Sequence, residues 1–81
     1  MYYVYVLKSE LNGQSYVGST VNLKARLKQH NDGKSISTKR HRPWKLFYYE
    51  AYELEELARL REKRLKHNGN AIRELKKRIG F

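Results

Sequence analysis

The chain has 81 residues, no cysteine, and 18 Lys plus Arg against 8 Asp plus Glu, for a formal net charge of +10. A chain this short is enough for one domain, residues 1–81, that buries roughly 60% of its unfolded surface, which favours a shallow cleft for a polymer over a deep pocket. The absence of cysteine excludes disulfides and thiolate metal sites, while the positive field draws polyanions and makes nucleic acid the leading partner, ahead of a merely solubilising charge.

No run of about 18 apolar residues occurs, and Met1 passes straight into the first strand-like segment, so the expectation is a soluble cytoplasmic protein with no membrane partner. Tyr2 to Lys8 mixes aromatic and β-branched residues with little interruption, as a strand covered on both faces does. Ser9-Glu10-Leu11-Asn12-Gly13 supplies turn chemistry, and Gln14 to Ser19 completes a hairpin that brings Tyr5 and Tyr16 close. Ser19 or Thr20 can then cap a helix from about Val21 to Asn31, closed near Asp32-Gly33. Leu23 and Leu27 form its apolar seam, flanked by Arg26 and His30.

Lys34 to Arg42 carries Lys34, Lys39, Arg40, His41 and Arg42 among Ser and Thr without periodicity, and reads as an exposed basic loop ended by the single proline, Pro43. Trp44 to Tyr52 is a third strand. The period then changes: Leu54, Leu57, Ala58, Arg61 and Leu65 mark a helical stripe through about Lys66, with Glu53, Glu55 and Glu56 at the end the helix dipole favours. Gly69 is expected to stop that helix, and Ala71 to Arg78 forms a last, basic one. The predicted fold is α+β, a small three-stranded antiparallel sheet flanked by helices in the order β-β-α-β-α-α.

Tyr5, Tyr16, Arg26 and Glu62 stand out together, because phosphodiester hydrolysis needs a cation on the phosphoryl oxygens, a proton acceptor and usually a divalent metal. Arg26 can supply the cation, or lay its stem over the core. Glu62 can supply a hard oxygen ligand for Mg²⁺ or Mn²⁺, or be an exposed glutamate paired with Lys66 or Arg59. Tyr5 and Tyr16 read as half-buried sheet tyrosines or as reacting phenols, and a phenol acting as base needs a cation nearby, which Arg26 or Lys8 offers. His30 reads as a second base or proton shuttle, or as a phosphate contact and helix-terminal cation.

These residues resemble a known family. Tyr-x-Tyr, ten residues, Tyr16-Val17-Gly18-Ser19-Thr20, Arg26, the stretch Arg42-Pro43-Trp44-Lys45-Leu46, and Ala58-x-x-x-Glu62 in that order are similar to the GIY-YIG endonuclease domain, and more narrowly to the N-terminal nuclease module of the bacterial repair excinuclease. The resemblance implies a catalytic set of Tyr5, Tyr16, Arg26 and His30, with Tyr5 the base and Arg26 stabilising the transition state. It also implies Gly18 where the backbone passes close to the site, and Glu62 holding one divalent ion, Mg²⁺ or Mn²⁺. Tyr3 stands where the family name has glycine, and the late asparagine of many members has only Asn68 or Asn70 to match it, either of which also reads as a helix terminator.

The function expected is endonucleolytic hydrolysis of DNA, with RNA open, at weak sequence preference and in a repair or recombination setting. The alternative is a non-catalytic nucleic-acid-binding module of the same fold. It would use Lys34, Lys39, Arg40 and Arg42 of the loop and Lys76 and Lys77 of the last helix on phosphates, with exposed tyrosines or Trp44 stacking on bases. Protein partners cannot be read from the sequence.

Overall fold

The structure, a computed structural model, describes all 81 residues. In chain order the elements are β1 (Tyr2–Ser9), β2 (Ser15–Thr20), α1 (Leu23–Asn31), a short 3₁₀ turn (Lys39–His41), β3 (Trp44–Tyr52), α2 (Glu55–His67) and α3 (Gly69–Ile79). The strands form one antiparallel sheet in the order β2-β1-β3. The fold expected from sequence is the fold observed.

The central position of β1 explains its unbroken apolar run. Its side chains alternate between faces, and both faces are covered. Val4 and Val6, with Val17 of β2, pack against Ala58 and Leu65 of α2 and Leu75 of α3. Tyr5 and Leu7 point the other way, joining Trp44 in a second cluster against Leu23 and Leu27 of α1. In the β1–β2 turn Ser9 N–H donates to the Gln14 carbonyl, and Gly13 takes φ 76°, a left-handed value that glycine adopts without a Cβ penalty.

Several local expectations change. The cap of α1 is Asn22, whose side chain accepts from the Ala25 N–H, and Thr20 instead accepts from Asn22 N–H. Gly69 does not end α2. Asn68 does, and the same residue caps α3 by accepting from the Asn70 and Ala71 N–H groups, so the two helices share one junction. On α2 the expected stripe holds only in part: Ala58 and Leu65 are buried and Arg61 is half-buried with Glu62 beside it, but Leu54 and Leu57 are exposed. The sheet explains the difference, because Glu50 of β3 accepts from Arg61 Nε at 2.5 Å and Ser19 of β2 donates to Glu62, so two polar residues face inward with partners waiting.

The basic loop is not uniformly exposed either. Thr38 is 0% exposed, and its carbonyl accepts from the Trp44 indole at 2.8 Å. That contact and the packing around it bury Trp44, which is therefore not available to stack on a base. A cis Arg42–Pro43 bond leads from the loop into β3.

Candidate active site

The site lies at the open edge of the sheet formed by β2, between α1 on one face and α2 on the other. Cross-strand register sets the geometry. Tyr5 pairs with Gly18, Val4 with Ser19 and Leu7 with Tyr16, so Tyr5, Gly18 and Tyr16 share the α1 face while Ser19 turns toward α2.

Tyr5 is 2% exposed, and its hydroxyl lies 2.9 Å from His30 Nε2, with which it forms a hydrogen bond. His30 arrives from the last turn of α1 and is the buried residue of that helix. Its Nδ1 lies 2.8 Å from the Thr38 hydroxyl oxygen, and the Tyr16 ring packs across it at 5.1 Å between centroids. Every polar atom of this inner row is partnered, as buried polar groups require.

Complete burial removes two of the roles open to His30 on sequence, the phosphate contact and the helix-terminal cation. Burial, reinforced by the Arg26 charge, lowers its pKa to about 4, so the ring is neutral near pH 7. Burial also raises the Tyr5 phenol above its ordinary value, against the pull of Arg26 and with the charges of Tyr16 and Glu62 adding to the rise. The cation beside Tyr5 therefore does not make a phenolate in the free protein, because desolvation outweighs it. Lys8 contributes nothing here: it sits on the opposite face, over the rings of Phe47 and Phe81 at 5.4 and 4.8 Å.

Gly18 has a packing role that its neighbours on the strand cannot share. A Cβ at this position would fall on the Tyr5 hydroxyl and within 2.6 Å of Tyr5 Cζ. Only a residue without a side chain lets the phenol cross β2 to reach His30.

On the other face, Glu62 is half-buried and fixed from two sides. Ser19 donates to Oε1 at 2.6 Å, and Lys66, one turn on, pairs with Oε2 at 2.9 Å. Burial pushes the carboxyl up, but the Ser19 hydroxyl and the Lys66 ammonium, with Arg59 adding, outweigh it and hold the group below the usual glutamate range. Lys66 also lies 5.4 Å from the Tyr16 ring centroid, linking the two faces around the β2 edge. Arg59, the other partner open to Glu62 on sequence, pairs with Glu55 instead. Arg26 is half-buried beside Tyr5 and Leu23, and its Nη1 donates to Gln29 at 2.8 Å.

The chain has no cluster of three His, Cys, Asp or Glu side chains able to cage a metal. A single divalent ion that takes most of its ligands from water and phosphate oxygens still fits, because Glu62 is ionised, oriented by Ser19, and already faces a cation at its second oxygen. Asn68 is committed to its helix cap, and Asn70 is exposed on α3.

The expected phosphate-binding residues divide between two faces. Lys34, Lys39, Arg40 and Arg42 are all exposed beside the α1 face, Arg42 with its Nε donating to the Lys39 carbonyl and its guanidinium against Gly33. Lys76 and Lys77 belong to α3 on the other face, where Lys76 lies over Phe81 and Lys77 pairs with Glu74. Sequence reasoning named Lys66 as a partner of Glu62 but missed Ser19 in that role, and missed Thr38. Ser19 carried a signal, being next to Gly18, whereas nothing local marks Thr38.

Comparison with known proteins identifies the family of the domain. The GIY-YIG catalytic domain matches residues 1–78. The chain is 39% identical over 66 residues to a UPF0213 protein of Bacillus pumilus, covering 80% of this chain and 66% of that one. It is 43% identical over 63 residues to a UPF0213 protein of Clostridium perfringens, covering 76% and 67%, and 39% identical over 66 residues to one of Staphylococcus haemolyticus, covering 80% and 79%. The chain thus spans about two thirds to four fifths of the length of these relatives. No solved structure matches it. A GIY-YIG catalytic domain implies nuclease-type activity on a nucleic acid, and such domains typically use a divalent metal. With Tyr5, Tyr16, Gly18, Arg26 and Glu62 gathered at one sheet edge and the domain match running almost end to end, the chain belongs to the GIY-YIG catalytic domain family.

Proposed function

We propose that this chain is a divalent-metal-dependent endonuclease that hydrolyses DNA phosphodiester bonds with weak sequence preference. The observation that carries the proposal is the meeting, at one sheet edge, of an ionised carboxylate fixed by Ser19 and an uncharged phenol–imidazole pair, Tyr5 and His30, beside Arg26.

Glu62 would hold the metal, and a divalent ion there supplies Lewis-acid charge to the phosphate oxygens. Arg26 draws the scissile phosphate against the Tyr5 hydroxyl and offsets negative charge that builds on its oxygens during attack. Tyr5 accepts the proton of the attacking water while passing its own to His30 Nε2. This assignment uses the tautomer with hydrogen on Nδ1, donated to Thr38, whose own hydroxyl can turn to the Ser35 carbonyl at 3.5 Å. A neutral imidazole is the form able to take that proton. Burial is the larger cause of its low basicity, and the smaller part due to the Arg26 charge is offset once an anionic phosphate pairs with Arg26.

Exposed Lys34, Lys39 and Arg40 contact phosphates, which favours backbone and strand shape over base sequence, a preference suited to repair or recombination intermediates. The test is cleavage of single-stranded, duplex and branched DNA by Arg26→Ala and the parent. A loss of roughly 10²–10³-fold in the chemical step, with binding changed far less, is expected from removing one charge-stabilising group. Equal cleavage by both would remove Arg26 from the mechanism. Salt-sensitive binding by both with no cleavage under any metal would favour a binding module on this fold.

A further inference from the structure

The α1 face of the sheet is only partly covered, and the uncovered part adjoins Tyr5. α1 has nine residues and is about 13 Å long, whereas the nine residues of β3 run to about 30 Å. Leu23 and Leu27 seat the helix on Leu7, Leu46 and Trp44, and Asn31 ties its end to the Trp44 backbone at 2.6 and 3.0 Å. The helix therefore sits over the Trp44 end of β3. Tyr49, directly opposite Tyr5 in the register, is left 53% exposed, and Ala51 beyond it is exposed as well.

Tyr3, two residues before Tyr5 and on the same face, meets Tyr49 edge-to-face, with ring centroids 5.9 Å apart and planes at 71°. An edge-to-face pair braces both rings while leaving at least one ring face open. Gly18 and Thr20 flank this surface on the β2 side, and neither raises a bulky side chain over it. The result is a braced aromatic surface with an open ring face of about one base in extent, next to Tyr5 on the face of the sheet that also carries Arg26.

We propose that Tyr3 and Tyr49 form a stacking subsite for one unpaired nucleobase adjacent to the scissile phosphate. The occupant follows from its surroundings. The chain carries +10, so a polyanion is drawn in, and Arg26, beside Tyr5 on the same face, is the group proposed above to hold its phosphate. A base attached to the neighbouring sugar is the group that a ring face beside a bound phosphate can receive. Bases inside a duplex have their faces covered by their neighbours, so the subsite takes a base from a single strand, a frayed end or a branch. The inference rests on the nuclease reading for the position of the phosphate, and it assigns to that reading a preference for unpaired substrates.

The test is binding in EDTA, where no metal-dependent cleavage occurs, using short single-stranded DNA with an abasic site moved along it one position at a time. One abasic position should weaken binding to the parent by roughly 5- to 100-fold, and Tyr49→Leu should lose a similar factor with the intact strand. With that abasic strand, Tyr49→Leu and the parent should bind alike, because the same stack has been removed twice. Tyr49→Phe, which keeps the ring, should bind like the parent, and thermal melting of each variant identifies any that lose the fold. If no abasic position matters, or if the losses from Tyr49→Leu and the abasic site simply multiply, the subsite is refuted while nuclease activity stands. If the stack is found but no metal supports cleavage, the subsite stands and the nuclease reading falls.

Discussion

Gly18→Ala should disable this protein through packing alone. The backbone at Gly18 has no positive φ, so alanine meets no strain there and would by intrinsic preference stabilise a strand by about 0.5–1 kcal/mol. The new Cβ, however, would overlap the Tyr5 hydroxyl and come within 2.6 Å of Cζ, and the ring has nowhere to go, since Tyr5 is 2% exposed and pinned to His30. Overpacking of this kind costs about 1–3 kcal/mol. If the phenol swings away, a buried hydrogen bond is lost as well, for about 1–3 kcal/mol more. The expected net loss is about 2–4 kcal/mol, a large share of the stability of a small domain. Urea unfolding followed by fluorescence of the buried Trp44 measures it. The same substitution in a Tyr5→Leu background, where both clashing atoms are gone, should cost less by about 1–2 kcal/mol. A Gly18→Ala protein within about 0.5 kcal/mol of the parent, taking the usual scatter of neutral surface changes as the threshold, would refute the reasoning. So would strict additivity with Tyr5→Leu.

Stability should also depend on pH through His30. Its folded pKa of about 4 lies below the ordinary 6.5, so the unfolded chain binds the extra proton first as pH falls. The contribution is complete above pH 6.5, declines between 6.5 and about 4, and is flat below; it amounts to at most about 3 kcal/mol. His30→Phe should lack that slope, which urea titrations across the pH range would detect. Ser19→Ala frees Glu62 and should weaken Mn²⁺ binding, read by calorimetry, by roughly 10-fold, the low end for losing a group that orients a ligand. Lys66→Met removes the competing ammonium and should tighten Mn²⁺ by about 2- to 5-fold, in line with a partly exposed ion pair. Replacing Lys34, Lys39 and Arg40 together should lower the salt slope of DNA binding by roughly one unit per lost phosphate contact.

The strands were legible because aromatic and β-branched residues crowd Tyr2 to Lys8 and Trp44 to Tyr52, and the central strand shows its two-sided burial directly. The candidate site residues could be picked out as a set because Tyr5, Tyr16, Gly18, Arg26 and Glu62 follow one another in a characteristic order over most of the chain, and the fold brings them to one sheet edge. What stayed hidden depends on contacts between distant segments. Thr38 looks like any threonine in a basic loop until His30 and the Trp44 indole close over it. Trp44 looks like a stacking residue until that closure buries it. Leu54 and Leu57 look like the head of the buried stripe until Glu50 and Ser19 draw Arg61 and Glu62 inward and leave the two leucines exposed.

The central claim is that Glu62 holds the metal for hydrolysis. The most direct measurement is cleavage of single-stranded, duplex and branched DNA with Mg²⁺ or Mn²⁺ and with EDTA, running the parent beside Glu62→Ala. Cuts by the parent should need the metal and vanish in the variant, while the variant binds DNA at least as tightly, having lost a negative charge. Metal-dependent cleavage by Glu62→Ala at the parent's rate would contradict that claim.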